Sequence, residues 1–122
     1  ATGGEMKVLV APTFAIPVKL STPGVAELAE IQVVFKHKTR DDLKEWATRR
    51  LQVNDSGVIS LGFEAAYIHE VIASWSGPVD EQGVAVPYSL AALTQVMQNR
   101  PVAGQEFYKQ YLDAETESRL KN

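Results

Sequence analysis

The chain has 122 residues, a formal net charge of −3 and 45% hydrophobic residues. This length and composition predict a single globular domain over residues 1–122 with one hydrophobic core. The mildly negative charge argues against nucleic-acid binding, which needs clustered positive charge. Without cysteine, the chain has no disulfide, thiol nucleophile or cysteine-based metal site, and this composition favours a reducing compartment.

The beginning of the chain carries no recognisable targeting signal. No apolar run approaches the ~18 residues of a membrane span, and residues 1–5 lack the basic and apolar regions of a secretory signal. We therefore expect no membrane partner. Met6 would serve as a start residue, so we expect residues 1–5 to be a cloning remnant and residues 1–12 to be flexible or part of it. The pattern leaves open whether Lys7–Val10 forms a strand.

Two alternating segments predict an antiparallel hairpin, which places the β unit at about residues 13–38. The first strand spans 13–20 and the second 31–38, and a connection of about ten residues, with a turn at 21–24, leaves their register open. Pro17 cannot donate a ladder hydrogen bond, so the first strand should lie at an edge or turn the missing donor to solvent. The residues predicted to face inward are Phe14, Ile16, Val18 and Leu20, then Ile31, Val33 and Phe35.

A helical period follows and predicts about four helices over residues 39–120. The first begins after Thr39 as cap and ends near 54–57, the second spans 61–75, the third follows the Ser89 cap, and the fourth spans 102 to about 119. Their predicted inward residues are Leu43, Trp46, Ala47 and, with its stem at the edge, Arg50; Leu61, Ala65, Tyr67, Ile68, Val71, Ile72 and Trp75; and Leu90, Leu93, Val96 and Met97.

These segments predict an α+β fold, with a small N-terminal antiparallel β unit, a hairpin or three strands, followed by about four helices. Among the inward residues, Trp46, Ile68, Ile72 and Trp75 lie on the widest apolar faces. We therefore expect these four side chains to be largely buried in the core.

The residues that could carry catalysis do not form a recognisable site. His37 and His69 lack metal-ligand spacing, the acidic pairs Asp41-Asp42 and Asp80-Glu81 fit a helix start and a loop, and no phosphate-binding or nucleophile-elbow motif is present. The basic run 36–40 is best read as a solvated corner. We therefore predict no catalytic, cofactor-binding or metal site, and a protein that is not an enzyme.

The C-terminal helix carries the one feature that suggests a partner. Phe107, Tyr108, Tyr111 and Leu112 span a wider arc than one core-facing seam, so one side could pack on the domain and the other on another chain. We take these four residues as candidates for partner or self binding. The alternative is that they pack only on their own core. The competing hairpin edge carries Pro17 and Lys19, which discourage strand addition.

Five short motifs also follow one another along the chain at characteristic spacing. They are Phe35-Lys36-His37-Lys38-Thr39-Arg40-Asp41-Asp42-Leu43, Ser74-Trp75-Ser76-Gly77-Pro78, Val86-Pro87-Tyr88-Ser89, Tyr111-Leu112 and Arg119-Leu120-Lys121-Asn122. In order and spacing they resemble the small tail assembly chaperones of long-tailed (siphophage-type, lambdoid) bacteriophages and prophages. The resemblance covers about residues 13–122 and brings no catalytic residue with it.

The resemblance implies a non-enzymatic protein that binds the phage tape-measure protein and keeps it soluble while tail-tube subunits assemble around it. It also implies a short form, with tail-tube protein contacted through a longer form made by ribosomal frameshifting. No cofactor is expected. Such a protein works in the host cytoplasm and is absent from the virion, and the need to cover a long partner suggests a homo-oligomer. The alternative is a tail-completion or head–tail connector protein that remains in the virion.

Overall fold

The computed structural model describes residues 6–55, 57 and 59–117. Three strands form one antiparallel sheet in the order β1-β2-β3, and four helices pack on it. This arrangement confirms the predicted α+β class. The elements are β1 (Thr13–Thr22), β2 (Val25–Lys36), α1 (Arg40–Asp55), α2 (Leu61–His69), β3 (Ile72–Ser76), α3 (Leu90–Asn99) and α4 (Ala103–Glu117).

The β1–β2 hairpin is longer and tighter than its sequence pattern indicates. Its connection is the two-residue turn Pro23-Gly24, in which Gly24 has a φ of 78°, so the expected ten-residue connection is wrong. The first part of β2 was missed because residues 25–28 are all exposed and show no alternation. Near the turn, Ser21 alone lies opposite residues 26–28, which forms a bulge.

The free edge of β1 is covered by side chains of α4. The backbone N–H of Lys19 donates to Oε1 of Gln110 (2.9 Å), and Nε2 of Gln110 donates back to the Lys19 carbonyl (2.7 Å). Glu106 accepts from the backbone N–H of Ser21. Backbone alternation turns Pro17 toward the same edge, where its missing donor breaks no ladder bond. The prediction that Pro17 lies on an edge strand is confirmed.

The predicted helix over 61–75 is wrong in its second half. The chain leaves α2 after His69 and forms β3, which pairs with β2. Ile72 lies opposite Phe35 and Trp75 opposite Val33, with a register shift between them that leaves Ala73 as an extra residue. The bulge keeps Ile72 and Trp75 on one face although they are three residues apart. That spacing imitates a helical stripe, which explains the error.

The predicted core is confirmed at all four positions. Trp46 and Ile68 have no exposed surface, Ile72 is 2% exposed and Trp75 is 8% exposed. The Trp46 ring stacks on Tyr67 with 4.4 Å between centroids. The two residues also exchange hydrogen bonds, from each side chain to the backbone carbonyl of the other. These contacts fix α1 against α2.

Arg50 is buried rather than at the edge of the core, which corrects the sequence prediction. Its Nη2 lies 2.9 Å from Oε2 of Glu64 and 3.0 Å from Oε1 of Gln105, and its guanidinium lies over the Tyr108 ring at 4.9 Å. A Cβ on Gly104 would lie 2.0 Å from Cδ of Glu64. The Arg50–Glu64 ion pair is therefore enclosed by α1, α2 and α4. Because Gly104 has no side chain, there is room for the Glu64 carboxylate.

The helix boundaries mostly follow the predicted caps. The hydroxyl oxygens of Thr39 and Ser89 accept backbone N–H groups at the starts of α1 and α3. Leu90 is 41% exposed and not inward, because it is the first residue of its helix. No strand forms at Lys7–Val10. The predicted end of α4 at Arg119 lies outside the described residues.

Candidate partner-binding surface

Two of the four candidate residues on α4 are occupied by the chain's own core. Phe107 and Tyr111 have no exposed surface. The Tyr111 ring lies 4.9 Å from the Phe35 ring, and its hydroxyl oxygen lies 2.8 Å from the Lys36 carbonyl and 2.9 Å from Oε2 of Glu115. Burial, together with that carboxylate, raises the pKa of Tyr111 well above its usual range. Both side chains hold α4 against the sheet.

Tyr108 and Leu112 are the two candidates on α4 that remain partly accessible. Both are half-buried. Tyr108 packs under the Arg50 guanidinium and lies 5.4 Å from the Trp46 ring, so only part of its surface is free. The α4 surface open to another chain is therefore narrower than the four-residue arc of the sequence prediction.

A larger surface feature lies between α3 and the segment that follows β3. Two adjoining depressions of about 390 and 260 Å³ share Pro78, Val79, Val96 and Arg100 as walls. The first is backed by Trp75, and the second extends along the hairpin. We call this surface the α3 groove, defined by the four shared residues and Trp75.

The floor of the α3 groove is held firmly in place. The Trp75 indole N–H donates to the Val86 carbonyl at 2.8 Å, and the Tyr88 ring meets the indole edge-on with 5.0 Å between centroids. The Tyr88 hydroxyl lies 2.6 Å from Nδ1 of His69. Burial raises the pKa of Tyr88 to about 12. The indole is therefore fixed from two sides before any partner binds.

The outer wall of the groove is a small hairpin that projects an apolar side chain. Val79 pairs with Ala85, and Oδ1 of Asp80 accepts from the backbone N–H groups of Gln82 and Val84. Val79 is 58% exposed. Because the wall is hydrogen-bonded to itself, Val79 is held in the open without support from the core.

The groove combines apolar side chains with one cation, Arg100, which borders both depressions. Nε of Arg100 is buried and has no hydrogen-bond partner among the described residues. Glu30, Asp80 and Glu81 also line the groove, but none of them forms an ion pair with Arg100 in the part of the chain that the structure describes.

Both histidines and several of the carboxylates are engaged in structural contacts. Nδ1 of His37 lies 2.9 Å from Oε1 of Glu115, and Glu115 also accepts the backbone N–H of Lys38. The Arg49 guanidinium holds the pKa of Glu70 below its usual range through a paired hydrogen bond. Within residues 6–55, 57 and 59–117 no cluster of metal-ligating side chains is found. None of the described helices is long and apolar enough to cross a membrane.

The α3 groove was missed by the sequence analysis. Its wall was interpreted only as an exposed loop, although Val79 and Val84 stand out as large apolar residues in an otherwise acidic, glycine-containing segment. Both are more than half exposed. The floor was missed because Trp75 was assigned to a helix end. Apolar residues in a loop that is too polar for the core are the signal that could have indicated this surface.

Comparison with known proteins identifies the family. The model of the family described as phage tail assembly chaperone matches residues 4–122. Searches of the curated proteins and of the solved structures give no significant match. The family match confirms the resemblance seen in the sequence motifs and extends over nearly the whole chain. This protein therefore belongs to the phage tail assembly chaperone family.

Proposed function

We propose that this chain binds the tape-measure protein of its phage and keeps it soluble in the host cytoplasm until tail-tube subunits assemble around it. Its role is non-enzymatic. The observation that supports this proposal is the α3 groove, an open surface lined in part by apolar side chains, with a fixed indole floor and an exposed valine on its wall. A surface of this kind suits binding without chemistry.

The proposed mode of binding is a helix laid in the groove. A long, helical tape-measure protein would present apolar residues spaced i, i+3, i+4 and i+7, and these would pack against Trp75, Val79 and Val96. Tyr108 and Leu112 on α4 are the second proposed contact, with either the tape-measure protein or another copy.

Tail-tube protein is the further proposed partner, contacted through a frameshifted longer form. In the short chain α4 is fixed to the sheet by Tyr111 and by the pairing of Gln110 with Lys19. We propose that the extension follows this helix. It would carry its tail-tube contact alongside a tape-measure segment bound to the same copy.

Coexpression with the tape-measure protein tests the main proposal. Val79→Lys places a charge on the groove wall at a position that is 58% exposed, so the fold should survive while the soluble fraction of the tape-measure protein falls several-fold. Val25→Lys is the matched control, the same change at a 55% exposed valine on the hairpin turn. Equal solubility with both variants would refute the groove as the binding surface.

The α4 contact is tested in the same assay with a separate pair of substitutions. Tyr108→Ala combined with Leu112→Ala removes the partly exposed side chains of α4, and Lys19→Ala on the edge of β1 is the control. If α4 contributes to binding, the pair lowers tape-measure solubility and the control does not. Normal solubility with a folded double variant would mean that α4 only packs on its own domain.

Mass spectrometry of purified phage particles separates this proposal from a structural role. A chaperone acts during assembly and should be missing from the finished particle, whereas a connector or tail-completion protein would be found there in stoichiometric amounts. Detection of this chain at a fixed copy number per particle would overturn the proposed assignment.

A further inference from the structure

The two edge strands of the sheet differ in how far their backbones are shielded. On β1, Pro17 and Lys19 occupy the edge, and Gln110 and Glu106 hydrogen-bond to its backbone. On β3, the sequence Ile72–Ser76 contains no proline and no charge, and Ala73, Ser74 and Ser76 are exposed. Folded proteins normally protect such an edge. We therefore expect another segment to pair with the open edge of β3.

Backbone alternation shows which groups this edge offers. The backbone of Lys19 points away from β2, and regular pairing across the sheet then directs Ser74 and Ser76 toward β2 and Trp75 outward. The described part of the chain supplies no hydrogen-bond partner to the outward N–H and C=O of Trp75. Both groups are available to an added strand.

The same chain contains an unpartnered segment with strand character. Residues 6–10 read Met-Lys-Val-Leu-Val, and the side chains of Met6, Val8, Leu9 and Val10 are 87%, 94%, 84% and 62% exposed. Four large apolar residues at that exposure are unusual for a segment that has no partner. The two β-branched valines, Val8 and Val10, favour an extended conformation. The family match includes these residues, since it begins at residue 4.

We propose that residues 6–10 of one copy add as a fourth strand to the β3 edge of a second copy. In an extended strand Met6, Val8 and Val10 share one face, and Lys7 and Leu9 lie on the other. The solvent face of the sheet is polar, with Lys19, Glu30, Gln32 and Ser74 exposed. Placing Lys7 on that face turns three apolar side chains toward the helical side, where they leave water.

This contact joins different surfaces on the two copies. Each copy donates a segment that precedes β1 and accepts a segment on β3, and these two strands are the opposite edges of its sheet. A head-to-tail contact of this kind continues from copy to copy into a ring or an open filament. Many copies in a row would present their α3 grooves repeatedly. The contact itself depends only on the segment and the edge, and not on what the groove binds.

Sedimentation analysis of two blocked variants tests the proposal. Val8→Pro removes a backbone donor from the segment, and Ala73→Lys places a charge on the accepting edge, both at exposed positions. The unaltered chain should form species above 13.4 kDa as its concentration rises. Each variant alone should remain at the protomer mass. Circular dichroism melts check folding, and Ser76→Lys replaces Ala73→Lys if the latter lowers stability.

The decisive sample is an equal mixture of the two variants. The Val8→Pro copy keeps an intact β3 edge and the Ala73→Lys copy keeps an intact segment, so the mixture should give dimers at twice the protomer mass and nothing larger. Val25→Lys should associate as the unaltered chain does. A monomeric unaltered chain, unchanged association of either variant, or a monomeric mixture would each overturn the proposal.

Discussion

At the scale of single residues, the Arg50–Glu64 pair controls how three helices meet. The guanidinium is almost fully buried and relies on Glu64 and Gln105 for its hydrogen bonds. Glycine at position 104 makes space for the carboxylate. The sequence indicated only that Arg50 lies on the inward face of α1. Its partners come from α2 and α4, and a helical pattern within one element carries no information about them.

Gly104→Ala should destabilise the protein although alanine is the better helix former. The new Cβ would lie 2.0 Å from Cδ of Glu64, and the carboxylate can move away only by leaving a buried arginine. We expect the free energy of unfolding to fall by about 1–3 kcal/mol, as in other overpacked sites. Chemical denaturation measures it.

Gly62→Ala is the control for this substitution. Nothing lies within 4 Å of a Cβ at position 62, and the residue lies in α2. We expect that change to stabilise by about 0.5–1 kcal/mol through helix propensity. If both glycine substitutions stabilise the protein, the carboxylate is not held as tightly as we infer.

The buried tyrosines predict a loss of stability in alkali. Burial raises the pKa of Tyr67 and Tyr111 above the value of 10.0 that the unfolded chain has. Above that pH the folded state keeps protons that the unfolded state has lost, so the free energy of unfolding falls as pH rises. Below pH 10 this contribution is fully present. Denaturation at pH values on both sides of 10 measures the slope.

Replacing Tyr111 tests whether its phenol contributes to the loss of stability in alkali. Tyr111→Phe removes an ionisable group, so the variant should lose part of the alkaline decline even though it also loses the hydrogen bond to Lys36. A slope identical to that of the unaltered chain would show that Tyr111 does not contribute to it.

At the scale of elements, the alternation of apolar residues and the helix-capping residues predict most of the strands and helices. The inward faces of β1 and β2, the caps of α1 and α3 and the burial of four core residues all follow from local patterns. The third strand did not, because the bulge at Ala73 sets Ile72 and Trp75 three residues apart on one face. A bulge depends on the partner strand, so a single segment cannot reveal it. The floor of the α3 groove was missed for the same reason, because Trp75 was assigned to a helix.

Trp75→Ala tests the importance of β3 directly. The substitution removes the groove floor and the hydrogen bond to the Val86 carbonyl, and it opens a cavity under the sheet. We expect a loss of about 3–5 kcal/mol in the free energy of unfolding, the usual cost of truncating a large buried aromatic residue. A thermal melt with an unchanged midpoint would contradict the assignment of Trp75 to the core.

At the scale of the whole molecule, the proposed tape-measure surface and the proposed contact between copies meet at Trp75, whose side chain forms the groove floor and whose backbone lies on the β3 edge, and otherwise use different residues. The groove lies between α3 and the segment that follows β3, whereas the contact between copies uses residues 6–10 and the β3 edge. The family identity implies tail assembly as the setting, but it does not assign either surface to a partner. Together, the two proposed surfaces would let many copies assemble on one long tape-measure protein.

Val79 belongs only to the groove and Val8 only to the contact between copies. Substitutions at these two positions should therefore have opposite effects. Val79→Lys should lose tape-measure solubilisation and keep self-association, whereas Val8→Pro should lose self-association and still bind short tape-measure peptides with unchanged affinity. Sedimentation and peptide titration on the same preparations measure both properties. Loss of both properties in either variant would show that the two surfaces act as one.

Because α4 covers the edge of β1, the order of synthesis determines when this edge becomes shielded during folding on the ribosome. The hydrogen bonds between Lys19 and Gln110 and between Ser21 and Glu106 join residues that are 91 and 85 positions apart. The first strand is therefore synthesised long before the helix that shields it, and contacts of such separation form late. Until α4 emerges, the nascent chain exposes an unshielded strand edge that can pair wrongly. Synthesis of the last helix, rather than of the sheet, therefore completes the protection of the β1 edge.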